Sequence, residues 1–266
     1  MHELFMTETE LQSGFVRAEI DDHVLRITLD RADKRNALTR AMYADLGRVL
    51  NNGINDASVH VIVLDGNGQM FCAGNDIADF AHVDIDSGDA GPTGPALSFI
   101  RAMAECDKPI VVAVQGQATG IGTTLLLHAD LVIAADDARF YTAFIDLGLV
   151  PEAGSSRLLP AVLGRQNAAR LLLAGDTLTA EEAERMGLIA YRVPAAELAE
   201  RTRELAARLA AKPPGAMAAS KQLLREGMDH AATIAQIERE ADVFGQRLVS
   251  TEVRDIMNAF LNRKKR

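Results

Sequence analysis

Three short apolar runs set the limits on what this chain can fold into: 59–64 (VHVIVL), 110–114 (IVVAV) and 131–135 (LVIAA). Each is strand-sized, far too short to cross a bilayer, and rich in β-branched residues, as expected of strands covered on both faces. Between them lie helical stretches at 95–105 and 120–128, and Thr39 can N-cap a helix running to about Leu50. Strands alternating with helices predict an α/β core. Ahead of it, Phe15–Ile20 and Val24–Leu29 alternate in polarity around Asp21-Asp22, the pattern of a β-hairpin. From Ser155 onward Ala, Leu, Glu and Arg dominate. Helix starts appear at Thr179, where Glu182 completes a capping box, and at Pro194, and only 189–193 still reads as a strand. The expected division is an N-terminal extension at 1–14, a core at 15–197 and a helical region at 198–266, whose apolar faces suit packing against another subunit.

Composition narrows the function. The chain of 266 residues carries 28 Lys+Arg against 37 Asp+Glu, a net charge of −9. That excess argues against non-specific nucleic-acid binding, which needs clustered cations. It leaves room for an anionic small ligand at a local basic patch. Cys72 and Cys106 are the only cysteines, too few for a disulfide framework and without metal-ligand spacing, so no metal is expected. Residues 1–14 lack a basic stretch followed by an apolar one, so the expected location is the cytoplasm, away from membranes. Residues 84–95, rich in Asp, Gly and Pro, read as a loop, and the basic tail at 262–266 reads as a solvated helix end.

Three glycine-containing segments carry the functional signal: 71–77 (FCAGNDI), 116–122 (GQATGIG) and 148–156 (GLVPEAGSS). Small residues at strand-to-helix turns let a ligand approach the backbone and leave first-turn N–H groups free to donate. Two such turns on neighbouring strands could aim two N–H groups at one oxygen, an oxyanion hole. Spacing alone leaves this open beside ordinary turns. The dinucleotide pattern G-x-G-x-x-G is not matched, and a P-loop is absent.

Residues 31–38 (RADKRNAL), 71–77, 113–122, 129–135 and 147–160, in that order and spacing, resemble the enoyl-CoA hydratase/isomerase family, the crotonase superfamily. The resemblance implies an α/β crotonase (ClpP-like) spiral of ββα units, followed by a C-terminal helical trimerisation region. It implies an acyl-CoA thioester as substrate, with coenzyme A entering as part of that substrate and no permanently bound cofactor. It also implies a homotrimer or a dimer of trimers. The thioester carbonyl would be held by the backbone N–H groups of Asn75 and Ile121. Lys34 and Arg35 would sit near the nucleotide phosphates, with Lys221 and the basic tail as further candidates. Ala37, Leu38, Ala73, Asp76 and Ile77 would line the path of the pantetheine and adenine.

Acidic residues separate the family's reactions. Its hydratases use two glutamates around a water, and aligned through the motifs these positions hold Thr124 and Phe144. Neither is acidic, so hydration lacks its carboxylates. Glu152 remains. On residue type alone it reads as a solvated loop glutamate, but peroxisomal-type 3-enoyl-CoA to 2-enoyl-CoA isomerases of the family carry their base in a PEG-C-S-S segment at this place. One carboxylate suffices for an allylic shift, and an apolar surround of Phe144, Leu149 and Val150 would strengthen it as a base. Hydration or another crotonase-type reaction, involving His82 or Asp146, stays open, as does a non-catalytic CoA-binding scaffold. His128 reads as a helix end, Cys72 as a packed residue, and Ser155 and Ser156 as caps of the next helix.

Overall fold

A computed structural model of the chain describes residues 3–4, 11–81 and 94–263. The strands are β1 (Glu3–Leu4), β2 (Val16–Asp21), β3 (Val24–Leu29), β4 (Val61–Gly66), β5 (Ile110–Val114), β6 (Gln117–Thr119), β7 (Leu131–Ala135), β8 (Arg139–Tyr141), β9 (Leu178–Thr179) and β10 (Tyr191–Val193). The helices are α1 (Arg40–Asn55), α2 (Ile77–Ala81), α3 (Gly94–Glu105), α4 (Ile121–Thr124), α5 (Ser155–Leu163), α6 (Arg165–Leu172), α7 (Ala180–Met186), α8 (Leu198–Ala210), α9 (Pro214–Gly227), α10 (His230–Leu248) and α11 (Thr251–Arg263).

The hairpin forms as expected. β2 pairs β3 from Val16↔Leu29 to Asp21↔Val24, with Asp22 and His23 both left-handed at the turn (φ +42° and +66°). β3, β4, β5, β7 and β10 then run parallel, giving a seven-stranded sheet of order β1-β2-β3-β4-β5-β7-β10. A second sheet, β6-β8-β9, carries the chain onward from the glycine turns. The apolar runs behave as strands covered twice. Ile62, Leu64, Ile110, Val112 and Val114 enter the main core with α1 and α3, whereas Val61, Val63, Val111, Ala113 and Ile133 pack under Leu198, Leu205 and Ala206 of α8. Each such side chain adds roughly 1.5–3 kcal/mol of transfer free energy.

Boundaries shift where local bonds intervene. β4 starts at Val61 because the preceding amides turn elsewhere, Val59 N–H to the Asp56 carbonyl and His60 N–H to that of His23. The helix expected over 120–128 is one α-turn followed by a 3-10 turn at Leu125–His128. Within it the Thr123 hydroxyl bonds outward to the Ala118 carbonyl at 2.8 Å, a local competition typical of threonine. α7 carries the expected Thr179–Glu182 capping box. No helix among the described residues is long and apolar enough to cross a membrane.

Candidate active site

Two glycine turns are stitched together before any side chain is considered. Cys72 N–H donates to the Gln117 carbonyl (3.2 Å) and Thr119 N–H to the Cys72 carbonyl (2.9 Å), which sets the turn after β4 beside the turn after β5. Gly120 holds φ +55° with ψ −119°, a conformation closed to residues with a Cβ. At Gly122 a Cβ would come within 2.9 Å of the Cys72 Cβ and 3.0 Å of its carbonyl oxygen. Asn75 and Ile121 thereby line one cavity of about 560 Å³. Among the described residues neither backbone N–H has a hydrogen-bond acceptor, and Ile121 opens α4, where such orphan donors are expected. With α4 a single turn, these N–H groups rather than a long helix dipole are what it offers.

The basic loop is bound to the first turn. Ala73 N–H donates to the Arg35 carbonyl (3.0 Å), Leu38 N–H to that of Gly74 (2.8 Å), and Asp76 N–H to that of Leu38 (2.9 Å). Asn36 is wholly buried and satisfied: its amide donates to the Asn67 and Met70 carbonyls and its oxygen accepts from Arg31 N–H. That leaves Lys34 and Arg35 exposed, Ala37 half-buried and Leu38 buried. Ala73 and Ile77 share the cavity wall with Asn75; Lys34, Arg35, Ala37 and Leu38 do not. Asp76 pairs with Arg31 at 2.7 Å. Burial pulls its carboxyl upward, but the Arg31 guanidinium and nearby amides hold it below the usual range.

Glu152 lies on the coil before α5, partly buried, and accepts a hydrogen bond from the Thr124 hydroxyl. Burial pushes its carboxyl up to about 8, against the Thr124 bond and with the help of the Glu240 charge. It faces a pocket of about 40 Å³ shared with Tyr43, Asn75, Ile100, Ile237 and Phe244. Asn75 and Phe244 belong to both cavities, so the pocket beside Glu152 and the cavity beside the glycine turns meet at Asn75. The expected surround is displaced: Phe144 and Leu149 line the larger cavity instead. Thr124, at the first hydratase position, serves the carboxylate it cannot replace.

Tyr43 was silent in the sequence. It lies on the apolar face of α1, fully buried, and its hydroxyl donates to the Asn75 side-chain oxygen. Burial, then the charges of Glu152 and Cys72, push the phenol well up. A lone aromatic hydroxyl on the inward face of a helix, which also buries Asp45, was the available signal. Asp146 is exposed on the cavity wall and accepts from the Tyr141 hydroxyl, whose pKa burial and Asp146 raise to about 12. Burial pushes the Cys72 thiol to about 12, which suits a packed residue.

Two expectations need correction and a third is extended. His128 does end a helical turn, yet its ring also bonds the Ala153 carbonyl at 2.7 Å, and burial lowers its pKa to about 4, so it donates as the neutral ring. Ser155 and Ser156 do not cap α5; they are its first residues, after Gly154, and the cap is Glu240. Lys221 is not free for phosphate, because it is 8% exposed and bonded to Asp130 and the Lys108 carbonyl. His82, the 84–93 part of the expected loop and residues 264–266 lie outside the described residues. Among the described residues no group of three His, Cys, Asp or Glu could hold a metal ion.

The sequence model of the family described as enoyl-CoA hydratase/isomerase matches residues 19–266. The chain is 35% identical over 263 residues to 1,2-epoxyphenylacetyl-CoA isomerase of Escherichia coli (strain K12), covering 94% of this chain and 96% of the relative. It is 34% identical to enoyl-CoA delta isomerase 2 of Rattus norvegicus, over 91% of this chain and 62% of that protein. Its curated relatives carry both hydratase and isomerase names. In three dimensions it is similar to an enoyl-CoA hydratase/isomerase from Pseudoalteromonas atlantica T6c, with a TM-score of 0.87 at 37% identity over 94% and 97% of the two chains. The α/β spiral with its helical C-terminal region is thus the crotonase fold.

Proposed function

Because the chain belongs to the enoyl-CoA hydratase/isomerase family of acyl-CoA enzymes, we propose that it isomerises 3-enoyl-CoA to trans-2-enoyl-CoA with Glu152 as its single base. The observation that carries this reading is a Glu152 hydrogen-bonded to Thr124 and sharing a pocket with Asn75, in a chain where the two positions matched to hydratase carboxylates hold Thr124 and Phe144. The thioester oxygen would accept from the Asn75 and Ile121 N–H groups, which acidifies the α-carbon. Glu152 then takes an α-proton, the electron pair spreads through a dienolate held at the oxyanion, and the same proton returns at the γ-carbon. Nothing is gained or lost by the substrate, so one carboxylate closes the cycle. A carboxyl near 8 is a much stronger base than an ordinary glutamate.

The rest of the ligand follows from the same reading. Lys34 and Arg35, exposed on a loop bonded to the first turn, would meet the nucleotide phosphates, while Ala73, Asp76 and Ile77 would flank the pantetheine with Ala37 and Leu38 behind them. Coenzyme A comes and goes as part of the substrate. Exposed Leu223, Leu224 and Met228 on and after α9 fit a homotrimer or dimer of trimers. The test offers purified protein 3-hexenoyl-CoA and 2-hexenoyl-CoA, then repeats with Glu152→Gln. Conversion of the 3-enoyl substrate that vanishes in the variant is the expected result. Isomerisation untouched by the substitution, or hydration as fast as isomerisation, would overturn the reading.

A further inference from the structure

The turn that carries Glu152 is closed locally by Ser155 N–H donating to the Glu152 carbonyl (3.1 Å), and its other bonds come from outside it. Ala153 and Gly154 are consecutive left-handed residues (φ +59° and +72°), and for alanine that conformation is unfavourable. The following helix, α5, begins at Ser155, and the N-cap before it, Gly154, has no side chain to cap it. What holds this turn comes from α10, more than eighty residues onward. The buried Glu240 carboxylate accepts from Gly154 N–H (2.6 Å), Ser156 N–H (2.8 Å) and the Ser156 hydroxyl (2.5 Å), and Gln236 donates to the same hydroxyl at 2.8 Å. From the other side His128 donates to the Ala153 carbonyl at 2.7 Å. The residues one turn either side of Glu240, Ile237 and Phe244, line the pocket with Glu152.

We infer that Glu240 is the positioning residue of the active site, a cap supplied by the C-terminal helix that fixes the Glu152 turn in its left-handed form. The inference rests on the reading of Glu152 as the base. Burial pushes the Glu240 carboxyl above its ordinary value, and the bonds from Ser156 and Gly154 oppose that shift; when ionised, its charge at the first turn of α5 matches the helix dipole. Released, the Ala153–Gly154 pair would relax and swing Glu152 away from Thr124 and Asn75. Binding of the thioester, which uses other turns, would be spared.

The experiment measures kcat, KM and Tm for Glu240→Gln, Ser156→Ala and Glu152→Gln with 3-hexenoyl-CoA, below the melting range of each. Glu240→Gln should lower kcat about tenfold or more with KM changed less than about twofold. Ser156→Ala keeps both backbone donors on Glu240 and should lower kcat only about twofold to threefold, which also gives a reading if Glu240→Gln does not fold. Unchanged kcat in the folded variants, alongside an inactive Glu152→Gln, would overturn the inference, whatever happens to Tm. Retained activity in Glu152→Gln would instead overturn the assignment of the base.

Discussion

The spiral core and the helical C-terminal region equip the site in different ways. The core contributes backbone donors, at Asn75 and Ile121, whose positions are set by strand register and by glycines that nothing larger can replace. The C-terminal region contributes side chains: Glu240 from α10 bonds the turn that carries Glu152, the proposed base, and Phe244, Ile256 and Met257 wall the cavities. A donor made of backbone is hard to alter by substitution except through its glycines. A base held by side chains can be adjusted one residue at a time. Within a fold that hosts several reactions, the carbonyl-binding half is therefore the part expected to resist change, and the proton-handling half the part free to vary.

Substitutions can test that contrast, beginning with the base. Glu152→Gln should lower kcat by about 10³-fold or more with KM little changed, since general-base terms reach that size; a loss below tenfold would break the contrast at its centre. Gly120→Ala comes next. Forcing a Cβ into that backbone should displace Ile121 and lower kcat about 10²-fold, the scale of one lost oxyanion donor, while free coenzyme A still binds.

The pH profile sharpens the side-chain half. Under the proposed mechanism Glu152 must be ionised to act, and burial holds it near 8. kcat/KM should therefore fall about tenfold per unit below that value and level off above it. The Thr124 bond pulls this carboxyl downward, so in Thr124→Val the limb should move to higher pH and activity at neutral pH should drop severalfold. A limb that stays in place would remove Thr124 from the base's surroundings.

The smallest effect is on stability. A carboxyl raised in the folded state binds its proton more tightly there than in the unfolded chain. Its contribution is fully present below the unfolded value and is lost as pH rises towards about 8. Glu152→Gln removes that loss, so the variant should melt a few degrees higher than the parent at pH 8 to 9, on the order of 1–2 kcal/mol, and match it near pH 5. Equal melting at both ends of the range would contradict an enclosed, costly carboxylate.

What the sequence revealed divides along the same line. The sheet was legible because an apolar run buried on both faces leaves a continuous β-branched string, as at Val111–Val114. The glycine turns were legible because close backbone approach demands glycine in a short window, while the placing of donors at Asn75 and Ile121 rested on the family resemblance. Glu152 needed the family motif, since a carboxylate in a coil has no periodicity to mark it. Glu240 and Tyr43 were illegible for another reason. Each sits on an amphipathic helix whose pattern shows which face is inward but not what that face will meet. A cap placed more than eighty residues from its helix leaves no trace in local order.

The three backbone bonds that join Arg35–Leu38 to Ala73–Asp76 make the basic loop and the first glycine turn a single mechanical part. Under the proposed mode of binding, a ligand gripped at its nucleotide end bears on the piece of backbone that polarises its carbonyl. Affinity gained at one end of a long molecule is then expressed as reactivity at the other. An acyl thioester stripped of its nucleotide would accordingly turn over more slowly even when saturating, because the missing handle is also part of the tool.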